Sequence, residues 1–141
     1  VPVKYEHVVF CNLSEFQLQL YRLFIVAPEI KALLRGKESQ PLKAINVLKK
    51  LCNHPELLNL PEDLKGSDHL IPEGFSGPNQ SAQGGRGRGR DTTVHTEWSG
   101  KFVVLERFLH QIKTETTDKI VLISNYTQTL DLFEKMLRSK K

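Results

Sequence analysis

The stretch 119–137, KIVLISNYTQTLDLFEKML, constrains the fold of this chain more than any other. Ile120, Val121, Leu122 and Ile123 form a short unbroken apolar run dominated by β-branched residues. Such a run is too short for a buried helix, so it predicts a strand covered on both faces. Polar residues follow at once: Ser124, Asn125, Tyr126, Thr127 and Gln128. Leu130, Phe133, Met136 and Leu137 then recur at helical spacing, with Asp131, Glu134, Lys135 and Arg138 on the opposite face. Strand, polar turn and amphipathic helix make half of a βαβ unit. In open parallel sheets ligands bind at the carboxyl ends of strands, which is where this turn falls. Half a unit is not a sheet, so the remaining strands are expected to come from sequence beyond these 141 residues.

Composition fits that expectation. Hydrophobic residues make up only 39% of the chain, and a low-complexity gap splits its middle, so neither piece is expected to bury a large core alone. The chain starts at Val1 and its single methionine is Met136, as expected of a fragment or a processed product. No apolar run approaches the length of a membrane span, and no signal-peptide pattern stands at the front. Two cysteines, Cys11 and Cys52, are too few for a disulfide scaffold, and a reducing intracellular compartment is the default. The net charge of +4 is unevenly placed. Residues 1–60 carry eight Lys/Arg against five Asp/Glu, 98–141 the same, and 61–97 four against six. Such mildly basic ends permit a nucleic-acid partner without demanding one.

In chain order, 5–11 (YEHVVFC) alternates loosely and predicts a strand. Ser14 then opens a helix as N-cap, with Gln17 three residues on to close a capping box and Leu13 placed as a hydrophobic staple. Phe16, Leu20, Leu23 and Phe24 line one face, and Pro28 ends the helix. Residues 29–35 suggest a short second helix stopped by Gly36. Pro41 suits the first turn of another, whose buried stripe is Leu42, Ile45, Leu48, Leu51 and Cys52. It must yield near His54, because Pro55 disfavours the helical region for the residue before it. From 59 to 97 the periodicity dissolves, and 76–90, ending in GGRGRGR, cannot offset its ordering entropy by burial. The whole stretch 59–97 is therefore expected to be a disordered linker. Order should return at Trp98, with Ser99 as N-cap of a helix carrying Phe102, Leu105, Phe108, Leu109 and Ile112.

The chemistry on offer is limited. There is no phosphate-cradling GxxxxGK[ST], no paired-acid strand end for magnesium, and no Ser–His–Asp arrangement with usable spacing, so this stretch alone is expected to catalyse nothing. Cys52 and His54 invite a metal reading, but zinc wants about four convergent ligands. One further cysteine does not supply them, and a buried cysteine beside a helix-ending Asn–His–Pro explains the string better. Arg86, Arg88 and Arg90 of GGRGRGR suit either a mobile nucleic-acid-contacting arm or a soluble linker, and the linker is the simpler account. Lys43, Lys49 and Lys50 read as a solvated helix face. In the turn, the side chains of Ser124, Asn125, Tyr126, Thr127 and Gln128, with exposed N–H groups at a helix N-terminus, suit a nucleic-acid phosphate. The competing account has Thr127 as a helix cap and Tyr126 packed under the sheet.

LKKLCNHPELL at 48–58 resembles the L[RK]K[IL]CNHP signature of the SWI/SNF-type ATPases, a branch of the superfamily 2 helicase-like motors. WSGKFVVLERFL is similar to the SGK-plus-helix segment before that family's second motor lobe, and KIVLISNYTQTLDLFEKML to that lobe's first strand and helix, carrying motif IV. YEHVVFCNLSEFQLQLYRLF resembles the segment that closes the first lobe. Within the family, NYTQTLDL with SQPLKAINVLKKLCNHP most resembles the branch that acts in homologous recombination and DNA repair. The resemblance implies an α/β fold of incomplete RecA-like P-loop NTPase lobes, mostly helical in this piece. Residues 1–58 would end the first lobe and supply the inter-lobe helices, 59–97 would be the linker, and 98–141 would start the second lobe. It further implies a DNA-dependent ATPase using ATP and Mg2+, double-stranded DNA and a RecA-like recombinase filament as partners, and a nuclear location. Motif IV falls on Ser124, Asn125, Tyr126, Thr127 and Gln128. The rival reading is a non-catalytic RG-rich nucleic-acid-binding module, or a helical adaptor.

Overall fold

Ser14 begins the first helix as the sequence predicts: its hydroxyl accepts from Gln17 N at 3.1 Å while Gln17 Oε1 accepts from Ser14 N at 2.8 Å, a complete capping box. The structure, a computed structural model, describes residues 2–35, 40–78 and 94–140. Helix α1 spans Glu15–Val26 and stops at extended Ala27, after which Pro28, with no N–H to give, starts α2 at Pro28–Arg35. Helix α3 runs Gln40–Asn53 with Pro41 in its first turn. It ends where expected, because His54 is extended (φ −161°) ahead of Pro55. Ser99 caps α4, Gly100–Glu115, by accepting from Phe102 N at 3.3 Å. Helix α5 is Thr127–Arg138.

Two apolar clusters organise these helices. The first joins Leu20 and Phe24 of α1, Ile30 of α2 and Ala44, Val47 and Leu51 of α3 with Leu58, Leu60 and Leu64. The second joins Phe102 of α4, Leu132 and Met136 of α5, Leu57 and Val94. Adjacent residues Leu57 and Leu58, in and after the short 3-10 turn Pro55–Leu57, therefore enter different cores. Burying each leucine contributes about 1.5–3 kcal/mol, so CNHPELL ties the two clusters together.

Three expectations are corrected. Among the described residues there is no strand: both 5–11 and 119–124 run without a regular element. Their apolar side chains face water, with Phe10 93% exposed, Val121 81% and Ile123 87%. A strand is made by its neighbours, and no described segment pairs with either stretch. The described residues are thus mostly helical as expected, and no part of the α/β sheet is formed among them.

The disordered linker is corrected over 59–78 and 94–97; residues 79–93, with Arg86, Arg88 and Arg90, lie outside the described residues. Leu60 and Leu64 are buried in the first cluster, and Leu70, Ile71 and Phe75 pack against it. Gly66, at φ +87°, makes a turn that an L side chain would strain. Phe75 lies 6.1 Å from Phe16 and 6.0 Å from Trp98, ring centre to ring centre, and His95 stacks on Trp98 at 4.0 Å. A few apolar residues without periodicity are enough to anchor this stretch. The third correction concerns Thr127, which is the first residue of α5 and exposed; Tyr126 holds the N-cap position, with no side-chain capping bond.

Candidate nucleic-acid interface

The predicted turn is held from two sides. Ser124 Oγ accepts from Tyr126 N at 3.2 Å and shapes the approach to α5. Asn53, at the end of α3, donates its amide to Thr129 Oγ1 at 2.9 Å; Thr129 is 1% exposed. That bond sets the start of α5 against the last turns of α3. Between them lies an open groove of about 420 Å³ lined by Asn46, Lys50, Asn125, Tyr126, Thr127 and Gln128. Of the predicted residues, Asn125, Tyr126, Thr127 and Gln128 meet there, while Ser124 supports the turn from behind.

The groove is electropositive by construction. Half-buried Lys50 brings a full charge, and α5 presents its positive dipole end with no acid in its first turn. None of the groove-lining residues is a carboxylate. Two lysines of the solvated face, Lys43 and Lys49, do remain exposed, but Lys50 does not belong with them. Sequence reasoning missed Lys50 and Asn46 because their partners stand on another helix far along the chain. The larger concavity, a cleft of about 880 Å³ between α4 and α5, is mainly apolar and holds none of the predicted site residues.

His54 and Cys52 have structural surroundings. The His54 ring is fully buried; Nδ1 accepts from Glu56 N at 3.0 Å, which puts the proton on Nε2, and Nε2 donates to His95 O at 3.0 Å. Burial lowers its pKa to about 4, against the opposing bond to His95 O. Burial likewise pushes the Cys52 thiol up, with Lys101 acting in the other direction. Among the described residues no group of three or more His, Cys, Asp or Glu gathers for a metal.

Residues 1–57 match the model of the SNF2-related domain. Along its whole length the chain is similar to Rad54-type DNA repair and recombination proteins. It is 63% identical over 140 residues to the DNA repair protein rhp54 of Schizosaccharomyces pombe, covering 99% of this chain and 16% of that protein. Identity to the DNA repair and recombination protein RAD54 of Saccharomyces cerevisiae is 53% over 142 residues, 99% of this chain and 15% of the relative. For the human RAD54-like protein it is 38% over 148 residues, with 100% and 18% covered. The chain thus spans 15–18% of the length of these relatives. No solved structure matches it. No helix among the described residues is long and apolar enough to cross a membrane.

Proposed function

We propose that this chain is the inter-lobe part of a DNA-dependent ATPase of the SNF2-related kind that moves on double-stranded DNA during homologous recombination and repair. On this reading 1–58 close a first RecA-like lobe, 98–141 begin a second, and the apolar stretches 5–11 and 119–124 complete sheets with strands supplied by the rest of that protein. ATP and Mg2+ bind elsewhere in it, its filament partner is a RecA-like recombinase, and it works in the nucleus. The observation that carries the proposal is the groove in which Lys50 faces Asn125 and Gln128 across an uncapped helix N-terminus. A phosphate of the DNA backbone meets there a cation, side-chain amides and helix N–H donors, all of which read charge and none of which reads sequence.

The test is the double substitution Asn125→Ala with Gln128→Ala in the full-length protein. Each lost phosphate hydrogen bond is worth about 1 kcal/mol, so DNA affinity should fall several-fold. The loss should be alike for different DNA sequences, and DNA-stimulated ATP hydrolysis should weaken more than ATP binding. A folded double mutant with wild-type DNA affinity and stimulation would remove the groove from the DNA path.

A further inference from the structure

Gln17 was predicted only to close a capping box, but its amide does more. It is fully buried, and all four of its hydrogen-bonding positions are used. Nε2 donates to Leu51 O at 3.0 Å and to Cys52 O at 3.2 Å, at the C-terminus of α3. Oε1 accepts from Ser14 N at 2.8 Å and from Gly100 N at 3.0 Å, the latter in the first turn of α4. Two carbonyls and two N–H groups fix the amide orientation. A Glu at this position would set a carboxylate oxygen against two carbonyls.

Two hydroxyls repeat the pattern. Ser99 Oγ donates to Asn53 O at 2.6 Å, and Ser14 Oγ donates to Trp98 O at 2.6 Å. Helix ends carry carbonyl and N–H groups with no partner inside their own helix. Here the end of α3 and the starts of α1 and α4 satisfy one another. The contact is also close: a Cβ on Gly100 would stand 1.6 Å from Asn12 O, so only glycine fits. These bonds link residues 83 and 84 positions apart for Gln17–Gly100 and Ser14–Trp98, and 46 apart for Ser99–Asn53.

We infer that this junction is a mechanical joint: α1, α3 and α4 are held as one body by mutual capping around Gln17, independently of the covalent path between Asn53 and Ser99. Gln17 is its positioning residue. Motion that separates the start of α4 from α1 and α3 must break the Gln17–Gly100, Ser14–Trp98 and Ser99–Asn53 bonds together, while the two bonds from Gln17 Nε2 hold α1 on α3. The inference does not rest on the reading of the groove.

A specific protease site placed between residues 85 and 86 tests it. The folded full chain is cut, and the products are followed by size exclusion at falling concentration. The two pieces should elute together, held by the joint and the second apolar cluster. In Gln17→Leu, which keeps an apolar side chain of similar length but none of the four bonds, the concentration at which they separate should rise by at least about tenfold. Pieces that part immediately on cutting in the wild type overturn the inference, as does a change below about threefold in Gln17→Leu. If Gln17→Leu does not fold, hydrogen exchange of the uncut wild type decides: the Gly100 amide should be strongly protected although it is a first-turn N–H, and exchange at the free-peptide rate contradicts the joint.

Discussion

His54 shows how one residue can serve two ends of a chain. Its position before Pro55 ends α3, its Nδ1 caps the following turn, and its Nε2 holds the segment that leads into α4. The ring must be neutral to do this. With the folded pKa lowered to about 4 from 6.5, the unfolded chain binds the extra proton between those values. Stability from this group is therefore complete above the unfolded pKa and is lost as pH falls from about 6.5 towards 4, by about 3 kcal/mol. Urea unfolding across that window should show the loss, and the His54 ring resonances should stay unshifted down to about pH 5. A ring that titrates near its ordinary value would contradict the burial described. Asn53 makes a second residue-scale case. In Asn53→Ala the 1%-exposed Thr129 hydroxyl loses its donor, which should cost about 1–2 kcal/mol in urea unfolding and let α5 shift from α3.

Among the elements, the helices were legible in the sequence, whereas the two predicted strands are not formed among the described residues, for a physical reason. Helix signals are local: Ser14 with Gln17, Pro28, His54 before Pro55, and Ser99 each lie within four residues of the boundary they set. The β-branched run Ile120, Val121, Leu122 and Ile123 carries the composition of a strand, but pairing depends on segments that the described residues do not supply. The linker between them misled in the opposite sense. Its lack of period predicted disorder, yet Leu60, Leu64 and Phe75 find apolar surface on α1 and α3. Ser99 offers a test at this scale. It caps α4 and also donates to Asn53 O, so Ser99→Ala should cost about 2 kcal/mol, the upper end for a lone cap. A loss of only a few tenths in thermal or urea unfolding would mean that the bond to α3 contributes nothing.

At the scale of the whole molecule, the two clusters meet at CNHPELL, where Leu57 and Leu58 part, and the groove opens beside that meeting point. The turn 124–128 was legible as one wall because strand-like run, polar residues and helix follow directly in sequence. The other wall was not: Lys50 looked like one more exposed cation until α5 was placed opposite it. Lys50 also gives the account its most direct measurement, because a cation on a phosphate leaves a mark in salt dependence. DNA affinity of the full-length protein is measured across a salt series for the wild type and Lys50→Ala. The account predicts weaker binding at low salt and a slope of log affinity against log salt reduced by about 0.9, the share of one neutralised phosphate. Equal affinities and parallel slopes for the two proteins would show that this groove does not lie on the DNA.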